Sequence, residues 1–439
     1  MNVDSKKKRY KFGPNNQGAM LSNNDLKLLQ FLANQRLLTV NQLYKVYKDK
    51  ITINSFRVKL YRWGMKELIV PHQYSLGQDG FYFNYFRIGY RAVEILIREG
   101  MLPNSWEGFQ IKKISNVKNV DHFLATQELV VNTIHALEEK EKNLESLHPY
   151  ENPYLDNEEI EPSKIIIPDW ILRVENRYLN IELDTGEEPT KEIFEKVERY
   201  AKLCKQNSHQ EHVVLIAILD GSFKTRKAYS EDRSRRIGNL KKMFMSYKDL
   251  SLSNFSIYIL PLSRAVRTAE RVLLGLKPYA ANIYQTELDT IELAVFKNPK
   301  FRYKYKEIES TEVYLPDVPK EMYADKAIKI THKKGSYDEM LLLVLLDEGN
   351  VKELDRLHYL SSMVNEGRMK QTIHKIIAFY SRRDEKIYDV LANHYRNVLI
   401  GDNESWMRTG YDETPKFSRT VSPFKMEVTE YDKETNVIT

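Results

Sequence analysis

From Ser22 onward, apolar positions return at steps of three and four. Leu26, Leu29 and Leu32 follow Ser22-Asn-Asn-Asp25, a spacing that suits a capping box, so a helix is expected to start there. A second helix is expected from Thr39, with Gln42 three residues on, to about Tyr47, and a third from about Asn54 to Glu67. The stretch IVPHQYSLGQDGFYFNYFRIG (69–89) then reads as two strands around Gly77-Gln-Asp-Gly80, and RAVEILIREG (91–100) as a short helix. Three short helices and a β-hairpin describe a winged helix-turn-helix over residues 20–105, behind a flexible tail at 1–20.

Further along, residues 118–145 keep a long helical period, and an acid-rich loop fills 150–163. Two strands flank a turn at Glu175-Asn176-Arg177. PTKEIFEKVERYAKLCKQ (189–206) is an amphipathic helix whose stripe is Ile193, Val197, Tyr200, Ala201 and Cys204. HVVLIAIL (212–219) and FSIYILPL (255–262) are expected as buried strands. The order helix, strand, strand, helix, strand predicts an α/β unit over 115–285. Residues 300–335 show no clean period, and Tyr337 to about Leu399 looks helical, including DEMLLLVLL and MKQTIHKIIAFYSRR. The region 290–400 is therefore expected to be mainly helical. It is either a second helix-turn-helix with Lys370, His374 and Lys375 on its last member, or a bundle that joins two copies of the chain into a homodimer. A polar tail at 401–439 completes an α+β fold.

Composition narrows the class. The 439 residues are 42% hydrophobic and 29% charged, which fits two or three soluble domains, and the net charge is only +6. One cysteine, Cys204, excludes an internal disulfide and a thiolate metal site. The start MNVDSKKKRYKFG has no apolar core, and no apolar run is long enough for a membrane span, so a cytoplasmic protein is expected.

The distribution of bases says more than their sum. In the third helix Ser55, Lys59, Arg62 and Lys66 share a stripe, with Arg57 beside it, while Phe56, Leu60 and Trp63 share another. An apolar side for the core and a basic side for the major groove is the layout of a recognition helix, so double-stranded DNA is the expected partner. A solvated lysine face is the plainer alternative. Residues 224–242 carry eight Lys or Arg against two acids. Arg226, Lys227, Arg233, Arg235 and Arg236 there are candidate phosphate contacts, with a mobile solvated segment as the competing reading.

Candidate chemistry centres on residues 165–188, IIIPDWILRVENRYLNIELDTGEE. In a strand over 178–184, Glu182 and Asp184 point the same way, and a hairpin returns Asp169 to Glu182. Three converging carboxylates repel unless a cation lies between them, and Mg²⁺ or Mn²⁺ is the natural remedy. Pro168-Asp169, then Glu182-Leu-Asp184, followed by a helix and a strand, resembles the PD-(D/E)XK nuclease superfamily. That resemblance implies catalytic roles for Asp169, Glu182 and Asp184, with Glu128 on the preceding helix as a fourth metal ligand. The third motif position is Asp184 where the superfamily usually has lysine. Lys196 in the next helix is the candidate to take that role, or else it pairs with Glu192 at i, i+4.

As a whole the chain resembles the replication-relaxation family over roughly residues 20–225. The resemblance rests on LSNNDLKLLQFLANQRLLTVNQLY, FRIGYRAVEIL, HFLATQELVV with His122 and Glu128, and the IPDW…IELDTGEE…KVERYAKL run. It implies DNA binding and a role in the replication or relaxation of a plasmid or integrative element. No P-loop and no His-apolar-His pair is present, and His209-Gln-Glu-His212 lacks a third zinc ligand. Three functional readings follow: a DNA-binding initiator or regulator of plasmid replication, a Mg²⁺-dependent endonuclease or nicking enzyme, and a transcriptional repressor.

Overall fold

The computed structural model describes residues 7–12, 17–77, 82–106, 117, 119–138, 140, 143–149, 166–226, 233–277, 285–286, 288–289, 303–332, 338–408 and 417–429. The fold is α+β, with sheets of two, three, five and seven strands among those residues. None of their helices is long and apolar enough to cross a membrane.

The first module begins with β1 (Lys8–Phe12) paired antiparallel to β2 (Gln17–Leu21). Tyr10, Ala19 and Leu21 are buried there, so the tail expected at 1–20 is an ordered hairpin over its described residues. Basic residues on the outer face mask its alternation in the sequence. Helix α1 (Asn23–Gln35) starts at the expected capping box: the Asp25 amide donates to Ser22 Oγ at 3.1 Å, and the Ser22 amide donates to the Asp25 carboxylate at 2.9 Å. Thr39 and Gln42 cap α2 (Val40–Val46) in the same reciprocal way. Helix α3 (Ile53–Met65) buries Phe56, Leu60 and Trp63. Strands β3 (Leu38–Thr39), β4 (Ile69–Ser75) and β5 (Tyr82–Ile88) form an antiparallel sheet in the order β3-β5-β4, and α4 (Tyr90–Arg98) packs on α1. Gly89, at the turn into α4, is needed for close approach: a Cβ there would lie 2.1 Å from the Glu67 carbonyl oxygen.

The central body contains α5 (Val120–Leu137), β6 (Glu145–Leu147), β7 (Trp170–Val174), β8 (Arg177–Asp184), α6 (Thr190–Gln206), β9 (Glu211–Ile218), α7 (Ser234–Phe244), β10 (Phe255–Pro261) and α8 (Leu262–Leu273). Strands β6, β7 and β8 are an antiparallel meander, and β8, β9 and β10 run parallel. Parallel strands need covered faces. Helices α5 and α8 cover one face over Leu179, Ile181, Leu183 and Leu215, while α6 and α7 cover the other over Val214, Ile216 and Ile257.

The last region departs from expectation. Strands β11 (Tyr303–Glu307), β12 (Lys326–His332), β13 (Asp338–Leu346), β14 (Lys375–Tyr380), β15 (Val398–Asp402), β16 (Phe417–Ser422) and β17 (Lys425–Thr429) form one sheet in chain order. Helices α9 (Val351–Asn365), α10 (Arg383–Tyr388) and α11 (Asn403–Arg408) connect or follow its parallel members. DEMLLLVLL and KIIAFY are strands buried on both faces. An unbroken apolar run carries no period that separates a buried strand from a buried helix. The described residues form no second helix-turn-helix there: Lys370 donates to the Thr311 carbonyl, and His374 and Lys375 lie at the start of β14. The polar stretch expected as a loose tail supplies β16 and β17, with Phe417 buried in the sheet.

The central and last sheets share one apolar core. It is crossed by a wholly buried Lys241, whose ammonium donates to the Asp389 carboxylate and the Val390 carbonyl. Removing one partner of a buried pair leaves an uncompensated charge, at about 3–5 kcal/mol. Lys241→Ala is expected to lower unfolding stability by that amount in a denaturant titration, with both regions losing structure in one transition. Separate transitions would show that the two cores fold apart.

Candidate functional site

Sheet register builds the site. Trp170 pairs with Ile181, which places Asp169 opposite Glu182 at the open end of the β7–β8 hairpin, away from the turn where Glu175 has φ 54°. Backbone bonds lock Asp169 in place. Its amide donates to the Ile181 carbonyl at 3.0 Å, and its Oδ2 accepts from the Leu183 amide at 2.7 Å. His122, on the first turn of α5, puts Nε2 2.9 Å from the Leu183 carbonyl and 3.2 Å from the same Asp169 oxygen. Burial alone would lower the His122 pKa, but the Asp169 carboxylate and these bonds raise it overall.

Glu182 is buried between two side chains of α6. The Tyr200 hydroxyl donates to Oε1 at 2.7 Å, and Lys196 Nζ lies 3.4 Å from Oε2. Lys196 and Tyr200 are four apart and so share a helix face. The same ammonium meets Glu188 at 2.8 Å. Lys196 therefore turns to the sheet, and the expected partner Glu192 is not the one it takes. Burial lowers the lysine pKa, but the two glutamates outweigh it and hold the ammonium charged. Burial, and then repulsion by Asp169, pushes the Glu182 carboxyl from 4.5 up to about 7, against the pull of Lys196 and Tyr200.

Two of the four expected metal ligands are turned elsewhere. Asp184 accepts from Arg236 Nε at 2.8 Å and from the Gly186 amide at 2.6 Å. Arg236 also donates to the Glu188 carbonyl, so this arginine closes the site where a DNA contact was expected. Glu128 accepts from Gln42 and Asn132 at 2.9 and 2.8 Å. It lies six residues beyond His122, about 9 Å along the helix axis and on a different face. Among the described residues no three acid, histidine or cysteine groups are placed to hold one metal ion. What remains is the Asp169–Glu182 pair, two facing acids whose mutual repulsion suits a divalent cation. Asp184, in the grip of Arg236, does not fit that role. The recess lined by Glu182, Asp184, Glu188 and Lys196 has a volume of about 10 Å³, the room one water needs.

The basic residues of the first module divide. Lys59 pairs with Asp25 and lies over the Tyr47 and Trp63 rings, and Lys66 donates to the Gly18 carbonyl at 2.7 Å. Both brace the module. Ser55, Arg57 and Arg62 are exposed on α3, as are Val58, Tyr61 and Met65. Arg57 and Tyr61 face a cleft of about 1190 Å³ that continues past Tyr82 and Phe83 of β5 to Ser222 and Lys224 of the central body. Arg226 ties the two sides, with Nε donating to the Ser75 carbonyl at 2.8 Å and its guanidinium over the Tyr74 ring. Arg233 lies against Gly186, Arg235 is exposed on α7, and Lys227 falls outside the described residues. His122, Tyr200 and Glu188 received no site role from sequence alone. The spacing of Lys196 and Tyr200 opposite the acidic strand was the available signal.

A raised folded-state pKa means the folded chain keeps a proton that the unfolded chain gives up. The Glu182 contribution is then fully present below about 4.5 and lost as pH rises through about 7. Glu182→Gln is expected to gain Tm relative to wild type as pH rises across that window, read by thermal melts at fixed salt. A difference that stays flat with pH would contradict a strained Glu182.

A family model described as replication-relaxation matches residues 29–217, from α1 to the end of β9 and somewhat under half of the chain. No curated protein matches it.

Proposed function

We propose that this chain, which belongs to the replication-relaxation family, is a DNA-binding protein acting in the replication or relaxation of a plasmid or other mobile element. Its first module reads as a winged helix-turn-helix, with α3 as the recognition helix and β4–β5 as the wing. The observation that carries this is the outer face of α3, where Arg57 and Arg62 are exposed and Arg57 lines a cleft that runs on to Lys224. Arginines on such a face reach phosphates and base edges, and Tyr61 adds apolar contact. Lys59, already paired, contributes to stability and not to DNA contact.

A second reading makes the central body a metal-dependent DNA nicking enzyme or endonuclease. The observation that favours it is Lys196 at Glu182: the positive charge absent from the third motif position is supplied from α6. Asp169 and Glu182 would hold Mg²⁺ or Mn²⁺, which supplies an acidic water and charge for the phosphate. His122 fixes Asp169, Tyr200 fixes Glu182, and Lys196 presents an ammonium toward the scissile phosphate.

Arg57→Ala with Arg62→Ala is expected to weaken duplex binding and to flatten the salt slope by about 0.9 for each phosphate no longer neutralised. Lys59→Ala should lower Tm and leave that slope in place. An unchanged slope in the double variant would turn α3 away from DNA. For the second reading, supercoiled plasmid with Mn²⁺ is expected to be cut by wild type and spared by Glu182→Ala and Lys196→Ala. Intact plasmid under every metal would leave the binder alone.

A further inference from the structure

The central sheet and the last sheet repeat one another. Strands β6 to β10 run antiparallel, antiparallel, parallel, parallel, and β11 to β15 do the same, with a helix between the members of each parallel pair. The registers coincide. Trp170 pairs with Ile181 and Ile181 with Leu215, as Lys326 pairs with Leu343 and Leu343 with Ile377. Even the acid before the second strand is held alike. The Asp325 amide donates to the Leu343 carbonyl at 2.9 Å, and its Oδ2 accepts from the Leu345 amide at 2.5 Å. Those are the bonds that Asp169 makes with Ile181 and Leu183.

The correspondence then shows what changed. Glu182 falls on Val344 and Asp184 on Leu346, both buried in the shared core. Along α6, buried Val197, Tyr200 and Ala201 match Leu357, Leu360 and Ser361 along α9, which sets Lys196 against Arg356. Arg356 grips Asp325 through two bonds of 2.6 and 3.0 Å and also donates to the Leu345 carbonyl. In the first copy two acids face each other with one lysine near. In the second, a guanidinium bound through two bonds takes the place of the lysine and holds Asp325, with buried Glu353 of α9 close enough to feel both.

We infer that the chain contains the central α/β unit twice and that the second copy has exchanged its cation site for the Asp325–Arg356 pair. Each chain then has one reaction centre and, on duplex DNA, works on one strand. The two copies sit back to back on one core. The Ile259 amide of β10 donates to the Gly349 carbonyl at 3.0 Å, and Tyr258 of the same edge strand bonds Asp347 at 2.8 Å. The second copy therefore fills the place of a partner subunit, as a paired unit that does not react. This rests on the cation reading of the Asp169–Glu182 site.

The test is a Mn²⁺ titration of the full chain followed by electron paramagnetic resonance. One bound ion per chain is expected, lost in Glu182→Gln and retained in Asp325→Asn. Thermal melts run alongside should show Asp325→Asn losing several degrees as its partner Arg356 is left unmatched. Two ions per chain would overturn the inference by placing a second cation among Asp325, Asp347 and Glu353, and so would loss of the ion in a folded Asp325→Asn. The wild-type count needs no variant to fold. No bound ion at all would strike down the cation reading itself and the difference between copies with it. Under cleavage conditions, open circles without linear plasmid support the single centre, and linear product from one chain overturns it.

Discussion

The pairing of β7 with β8 decides most of what this molecule can do. A shift of one residue in that hairpin would send every side chain to the opposite face. Asp169 would leave Glu182, and Leu179, Ile181 and Leu183 would leave the core beneath α5 and α8. Register holds because both faces of β8 are buried and each has a different content. The apolar face has no room for carboxylates, and the acidic face has Tyr200 and Lys196 waiting for them. Packing and electrostatics therefore select the same alignment.

That alignment also explains why the site is under tension while most of its surroundings are not. Glu182 sits out of water beside a second acid, with one amine and one hydroxyl to offset it. Elsewhere buried charge is commonly matched pair for pair: Arg264 with Glu348, Lys277 with Asp347, Lys386 with Asp402. Glu353 of α9 is raised as well, to about 8, chiefly by burial and against the pull of Arg356. Neighbouring acids add to burial at both, Asp169 at Glu182 and Asp347 with Asp325 at Glu353, but the Glu182 carboxylate borders a recess that a water can enter, as at functional sites.

Much of this was legible in the chain itself. Ser22 and Thr39 announced their helices because a capping box has fixed spacing, and the β7–β8 hairpin was readable because its polar and apolar positions alternate around a turn. Side-chain destinations were less legible. Lys59 and Arg62 look alike on a helix diagram, yet Lys59 meets an acid from α1 and Arg62 stays exposed, a difference set by tertiary packing. Glu128 and Asp184 met their partners through Gln42 and Arg236, far away in sequence. The last region misled because Leu341–Leu346 and Ile376–Tyr380 are apolar throughout. The repeat stayed hidden because its two copies share backbone register and not residue identity.

The seam between β10 and the turn at Gly349 has a bearing on how the polypeptide divides. β10 is the outermost parallel strand of its sheet, and an open edge of that kind invites pairing with other chains. Here the turn seals it from within, where Gly349 has φ 83° and a Cβ would strike Leu260. A fragment stopped before residue 300 would bare that edge together with the apolar surface behind it, and one trimmed to the family-matched stretch would lose β10 and bare β9 in its place. The smallest piece able to stay dispersed in water is thus larger than the piece that defines the family.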